Sequence, residues 1–526
     1  MLKFTHSIAK LAGPALIAAL ATAGFTTAAM AQNSLRIAYD ADPVSLDPYE
    51  QLSGGTLQLS HMVFDPLVRW TQDFQFEPRL AESWEQIDDT TMRFKLRKDV
   101  KFHSGNDMTA KDLAWTFDRI KKSEDFKGIF TPFTGVEVVD DYTVDLKTAE
   151  PYPLVLHTAT YLFVMDSAFY SGETEDGKDK AEIVKHGDSF ASRTMSGTGP
   201  FIVTSREQGV KMQFKRFDGY WDPETGNVDE ITLTPIKEDP TRVAALLSGD
   251  VDFIAPVPPT DLARIDGTEG VNLITMPGTR VITLQMNQDR VEAFKDKRVR
   301  QAFDYAINNA GIVDRIMRGF ATTAGQASPE GYLGYDAALA PRFDLEKAKE
   351  LMVEAGYADG FSITMLSPNN RYVNDDKIAQ AAASMLSKIN IKVDLQTVPK
   401  AQYWPMFDER AADVMLIGWH ADTEDSANFH QFLTACPDKE TGNGQYNSGN
   451  YCNPEADALM NATNTEIDPE KRGEMLRKLE GMLYEDAAFI PLHWQDLAWG
   501  AKDGMNADEI VNALDFPYFG DLVISE

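Results

Sequence analysis

Strict alternation of apolar and polar positions marks the first half of the chain. Leu35-Arg36-Ile37-Ala38-Tyr39 predicts a strand. Met92, Phe94 and Leu96 alternate with Arg93, Lys95 and Arg97, after a turn at Asp88-Asp89, so residues 84–96 predict a hairpin. Residues 136–138 and 142–146 flank a second Asp-Asp turn, Asp140-Asp141, and predict another. A helix is expected between the hairpins. Thr109 and Asp112 have the spacing of a capping box, and Leu113, Phe117 and Ile120 share one face. Residues from about 75 to 195 therefore read as a mixed, hairpin-rich insertion. Strand patterns at 201–203, 210–214 and 231–234, a helix at 241–247 and a short strand at 251–254 follow.

The period changes after residues 276–286, where Val281, Thr283 and Gln285 alternate with Ile282, Leu284 and Met286. Val299, Phe303, Ala306 and Ile307 form a helical stripe, and a helix over 345–355 ends at Gly356. Then come a strand at 361–366, a helix at 375–389, a strand through Ile391, Val393 and Leu395, a short helix at 403–410, and the continuous apolar run Val414-Met415-Leu416-Ile417. A run apolar on both faces fits a fully buried strand. The order is βαβαβ, and right-handed crossovers make its three strands parallel. The expected class is α/β.

Length and composition add three constraints. Lys3 and Lys10 are the only charges in the first thirty residues; an apolar stretch at 11–25 and Ala29-Met30-Ala31 then predict a cleavable secretory signal over residues 1–31. The remaining chain, about 495 residues, exceeds a single core, so two lobes are expected. No later run of about eighteen apolar residues occurs. The formal net charge of −31 argues against nucleic acid and against anionic membrane surfaces as partners. Two cysteines, Cys436 and Cys452, predict one disulfide across a Gly- and Asn-rich loop in an oxidising compartment. A metal-binding or reactive pair is the alternative, and no His or Cys spacing supports it.

Ligands of open parallel sheets bind beyond the carboxyl ends of the strands. Two loops leave that edge: residues 367–374, with Arg371 and Tyr372, and residues 418–425, with Trp419, His420 and Asp422. Arg371 and Asp422 would then share one rim and suit a small zwitterion, Asp422 pairing with an ammonium and Arg371 with a carboxylate. Each also reads as an ordinary solvated loop charge. Tyr372 and Trp419 could wall the site. Trp404, at the start of the short helix, reads as core packing or as a further wall. His420 reads as a hydrogen-bonding histidine, because no metal-ligand partner stands at a recognised spacing. Motifs for zinc proteases, serine hydrolases, P-loops and redox Cys pairs are missing, and Pro200 spoils Gly197-Thr198-Gly199 as a dinucleotide turn. No catalytic residue, metal or cofactor is expected, and the chain does not read as an enzyme.

Several blocks resemble the bacterial extracellular solute-binding protein family 5, which includes the dipeptide-, oligopeptide- and nickel-binding proteins of ABC transporters. They are Leu80-Ala81-Glu82-Ser83-Trp84-Glu85, continuing through residues 94–105 to Thr109-Ala110-Lys111-Asp112; Gly197-Thr198-Gly199-Pro200-Phe201; residues 299–307; Ala355-Gly356-Tyr357; and Ile490-Pro491-Leu492. The resemblance implies a two-lobed periplasmic binding protein (type II, large cluster C form) that closes on its ligand and docks on an inner-membrane permease. It implies a discontinuous first lobe, 32–278 and 494–526, carrying the insertion, and a second lobe, 279–493. Gly418 to Asp422 is similar to the family segment whose Asp holds a peptide α-ammonium. The loop between Cys436 and Cys452 is similar to the disulfide loop of dipeptide-binding members. Departures exist: Thr423 and Ser426 replace the usual residues after the Asp, and Asn370-Arg371-Tyr372-Val373 stands where an Arg-Pro-Tyr stretch is usual, with the Arg offset by two. The expected function is capture of short peptides by a monomer for an ABC importer. Rival readings are an opine, small glycan, haem or metal chelate in the same fold, and, in other classes, a periplasmic chaperone or peptidase.

Overall fold

The computed structural model describes residues 33–186, 188–421 and 426–525. The expected signal segment and Asp422 lie outside the described residues. The chain starts with β1 (Ser34–Tyr39) and helix α1 (Gly54–Val63). A separate antiparallel sheet follows, built from β2 (Ala81–Asp88), β3 (Thr91–Leu96), β4 (Phe133–Asp140) and β5 (Thr143–Thr148) in the order β2-β3-β5-β4. Helix α2 (Ala110–Ile120) belongs to this insertion. Its capping box is formed: the Thr109 N–H donates to Asp112 Oδ2 at 2.8 Å, and Leu113, Phe117 and Ile120 are buried.

Val68–Trp70 and Phe76–Pro78 pair as a two-stranded sheet of their own, and eleven further strands build one sheet. They are β1, then β6 (Phe201–Glu207), β7 (Lys211–Arg216), β8 (Glu230–Pro235), β9 (Phe253–Ala255), β10 (Val271–Met286), β11 (Ser362–Pro368), β12 (Lys392–Val398), β13 (Val414–Trp419) and β14 (Ile490–Lys502), with the two-residue strand Thr322–Thr323 beside β14. Their order is β12-β11-β13-β10-β14-β9-β1-β8-β7-β6. The two longest strands join the halves of this sheet. One end of the β10–β14 ladder, Val271↔Lys502 to Met276↔Leu497, lies beside β9. The other end, Val281↔Trp494 to Leu284↔Ile490, lies beside β13. The register shifts between Met276 and Arg280, so a bulge bends the ladder where it passes from one half to the other. The fold is two-lobed.

In the second lobe β11 pairs in parallel with both β12 and β13, as right-handed crossovers require. All six residues of β13 are buried, which accounts for its continuous apolar run. Its core gathers Ile282 and Leu284 with Val299 and Phe303 of α3 (Lys297–Ala306), Leu351 of α4 (Leu345–Glu354) and Ile378 of α5 (Asp375–Leu386). Several element bounds differ from the sequence pattern, and three of the differences have a local cause. β10 starts at Val271, because its first turnless stretch still ladders with β14. The short strand starts at Phe253, since Asp252 instead ion-pairs with Arg36. The short helix α6 spans Lys400–Asp408, entered directly from Pro399. Cys436 and Cys452 are disulfide-bonded over a separation of 16 residues.

Candidate functional site

The three parallel strands of the second lobe end on one rim. β11 delivers Asn370, Arg371 and Tyr372; β12 delivers Lys400; β13 delivers Trp419 and His420. Hydrogen bonds hold these loops to one another. Asp375 Oδ2 accepts the backbone N–H groups of Arg371 and Tyr372 at 2.9 and 3.0 Å. Asn370 Oδ1 accepts the N–H of Lys400 at 2.6 Å, and the Tyr372 hydroxyl donates to the Gly418 carbonyl at 3.1 Å. Gly418 is required for this closeness: a Cβ there would fall 2.6 Å from Ile282 and 2.8 Å from Tyr372.

The first lobe presents its own strand ends. β1 and β9 are parallel, and Asp40 and Pro256 follow them. Between the two sets of strand ends lies a cavity of about 680 Å³, mouth included, lined by Tyr39, Asp40, Gly54, Gly55, Pro256, Arg280, Asn370, Arg371, Lys400, Gln495, Asp496 and Asp515, among others. A smaller cavity of about 370 Å³ adjoins it through Gly54, Arg280 and Arg371. Leu52, Leu57, Tyr372, Trp404, Trp419 and His420 give the smaller one mostly apolar and aromatic walls. A concave lining with a few convergent charged groups beside an apolar wall is ordinary for small-ligand sites.

Arg280, Arg371 and Lys400 converge here. Arg280 is 4% exposed and Lys400 7%. Burial, and then the neighbouring Arg371 guanidinium, pull the Lys400 ammonium down to about 8. Burial pushes the Asp515 carboxyl up to about 6 against the pull of Arg280 and Arg371, and it raises Asp40 as well. His420 is held well below its ordinary range by burial and by the same two guanidinium groups, so it is a neutral imidazole at pH 7. No carboxylate among the described residues comes within 4 Å of the Arg371 or Lys400 nitrogens, and the Arg371 Nε–H donates to no partner among them. The Arg371 guanidinium lies 4.7 Å over the Tyr372 ring.

Of the residues singled out from sequence, Arg371 lines both cavities, and Tyr372, Trp404, Trp419 and His420 line the smaller one. Trp419 donates its indole N–H to Asn428 at 2.7 Å and packs on Phe432 and Tyr446, so it serves core and wall at once. Trp404 does the same against Tyr403, Phe407 and Tyr446. Asp422 is outside the described residues. Sequence reasoning missed Arg280, Lys400, Asp515 and the Gly54-Gly55 pair. A signal existed for Lys400: it follows the second parallel strand as directly as Arg371 follows the first. Among the described residues no group of three or more His, Cys, Asp or Glu could hold a metal ion.

A second contact between elements distant in sequence sits behind the wall of the smaller cavity, where Asp125 accepts the N–H of Leu52 at 3.1 Å. Lys185 Nζ reaches Asp125 Oδ1 at 2.8 Å and Asp408 Oδ2 at 3.0 Å, and His186 Nε2 lies 2.7 Å from the same Asp408 oxygen. The Tyr446 hydroxyl donates to Asp125 at 2.6 Å, and Gln431 donates to the Gly128 carbonyl at 2.9 Å. Thus residues 125–131 and 185–186 clasp α6 and the disulfide loop.

A sequence profile described as "Bacterial extracellular solute-binding proteins, family 5 Middle" matches residues 75–441. The chain belongs to this family. Relatives of this family 5 protein include the glutathione-binding protein GsiB of Shigella boydii serotype 4, 25% identical over 90% of this chain and 91% of the relative. The periplasmic binding protein DppA from Helicobacter pylori, solved with the peptide STSA, superposes with a TM-score of 0.84 at 23% identity, covering 94% of this chain and 98% of that one. AgaA from A. tumefaciens R10, solved with agropinic acid, superposes with 0.82 at 24% identity, covering 93% and 96%. No helix of the described residues is long and apolar enough to cross a membrane.

Proposed function

We propose that this family 5 protein is the periplasmic substrate-binding component of an ABC importer, taking short peptides between its lobes and passing them to an inner-membrane permease. The observation that carries this reading is the cavity between facing strand ends, where Arg371 and Lys400 reach no carboxylate among the described residues. A charge removed from water without a partner is costly, so a cavity of this kind is complete only with an anionic ligand group in it. Arg371, stacked on Tyr372 and held by the Asp375 hydrogen bonds, takes the ligand carboxylate in a bidentate fork. Asp422 takes the ammonium, an assignment that rests on the Gly418 to Asp422 stretch of the sequence. The apolar cavity bounded by Trp404, Trp419 and Leu57 receives a side chain.

Residues 1–31 act as the export signal. Lobe I comprises 32–278 and 494–526, with the insertion at about 75–195, and lobe II comprises 279–493. The mature protein works as a monomer and performs no chemistry on its ligand. The peptide-bound structural relative and the glutathione-binding sequence relatives support the ligand class, glutathione being itself a short peptide. The test is mass spectrometry of ligand retained through gentle purification, followed by calorimetry with that ligand. Recovery of a peptide that binds the wild type and not Arg371→Ala supports the reading; recovery of a sugar or metal chelate, or peptide release by hydrolysis, contradicts it.

A further inference from the structure

Two consecutive glycines open helix α1, and all three cations of the cavity point at them. A Cβ on Gly54 would lie 3.5 Å from Arg371 Nη2 and 3.6 Å from Arg280 Nη2, and a Cβ on Gly55 would lie 3.2 Å from Lys400 Nζ. The absent methyl groups therefore leave open the space between the helix end and the cations. Ser53 precedes the helix without capping it: its hydroxyl is engaged with Thr56 at 3.1 Å. The first N–H groups of a helix have no partner inside it, and they carry the positive end of the helix dipole. Two different kinds of anion-binding group, the N–H donors of a helix end and side-chain cations, thus border one cavity. Lys400 supplies the independent observation. It is more than nine-tenths buried, it lines the cavity, and its ammonium has no hydrogen-bond acceptor or ion-pair partner among the described residues.

One carboxylate satisfies one guanidinium fork. A single ligand carboxylate on Arg371 would leave the Lys400 ammonium and the helix end unanswered. The acids of the same cavity, Asp40, Asp496 and Asp515, do not pair with Lys400 or Arg371 and remain available to a ligand cation. We infer that the gap between Gly54-Gly55 and the cations Arg280, Arg371 and Lys400 is a subsite for two carboxylates, so that the ligand is an acidic zwitterion, such as a peptide ending in Asp or Glu, with Lys400 setting that preference. This rests on the peptide-binding reading above and narrows it.

Calorimetry on the mature chain with Ala-Ala, Ala-Lys, Ala-Glu and Ala-Asp tests the idea, with glutarate as a non-peptide dicarboxylate. The acidic dipeptides are expected to bind at least about tenfold tighter than Ala-Ala or Ala-Lys, since each charged contact made in a dry site is worth that much or more. Lys400→Gln and Gly55→Ala, one removing the charge and the other filling the gap, should each lower the acidic-over-neutral ratio at least about fivefold. Equal affinities across the panel, or a ratio unmoved in folded Lys400→Gln and Gly55→Ala, would overturn the subsite while leaving peptide capture standing. Binding of glutarate with no binding of any dipeptide keeps the subsite and removes the peptide reading. Binding of nothing in the panel removes both. If Lys400→Gln fails to fold, the Gly55→Ala ratio and the wild-type panel decide.

Discussion

Two charge clusters sit between distant parts of this chain, and they are built on opposite plans. In the clasp every charge has an answer: Lys185 between Asp125 and Asp408, His186 on Asp408, and the Tyr446 hydroxyl on Asp125. In the cavity, the half-buried Arg371 and the buried Lys400 have no carboxylate within ion-pair distance among the described residues. Burial costs are similar in kind, so the difference lies in who supplies the counter-charge. The clasp is complete without a ligand and holds the insertion against the disulfide loop. The cavity is complete only when something from outside brings an anion. A partnered cluster speaks for structure, and an unpartnered one for binding.

Breaking the clasp should have the largest effect on stability. Lys185→Met leaves Asp125, whose side chain is 0% exposed, facing Asp408, and loss of one partner of a buried pair costs about 3–5 kcal/mol. Denaturant unfolding reads this, and small-angle scattering should show a more open ligand-free particle. The cavity responds the other way. Arg371→Met should cost about 2–5 kcal/mol of ligand affinity by calorimetry while the ligand-free unfolding midpoint stays unchanged or rises. Opening the disulfide with paired Cys436→Ser and Cys452→Ser changes should remove about 3 kcal/mol of stability, the loop-closure value for a span of this size.

Lys400 gives the smallest and most diagnostic effect. Its ammonium titrates near 8 in the folded chain against 10.5 ordinarily, because burial and Arg371 disfavour the charge. The unfolded chain therefore binds more protons between those values, and the destabilisation, full below pH 8, is relieved as pH rises from about 8 to 10.5. Lys400→Met should stabilise the ligand-free protein by about 1–2 kcal/mol at pH 7, and that advantage should shrink toward pH 10. Anion binding pulls the other way, so wild-type affinity should fall over the same interval, with proton uptake measurable in buffers of different ionisation heat. An advantage that is flat with pH would place the Lys400 charge outside this account.

The sequence pattern made the lobes legible because each element had a local cause. Period-two alternation marked the hairpins of the insertion, the Thr109–Asp112 box started α2, and the doubly apolar run at 414–417 named the central strand of the second lobe. Arg371 was legible for a related reason: the carboxyl-edge rule places a loop after a parallel strand at a site. The same rule covers Lys400, yet Pro399-Lys400 also reads as the start of a helix, and that reading masked it. Arg280 had no local mark. It sits inside a strand, and only the bulge between Met276 and Arg280, with Gly418 opposite, carries its side chain to the cavity. Gly54 and Gly55 lie more than two hundred residues from every cation they face, so their meaning exists only in the folded chain.

The central claim is that the charges of Arg371 and Lys400, which no carboxylate among the described residues reaches, belong to a captured peptide. Native mass spectrometry of the mature protein, purified without denaturation, tests it directly. The account predicts a mass excess equal to a short acidic peptide, lost on denaturation and not present for Arg371→Ala. A bare chain mass that no added peptide shifts would contradict it.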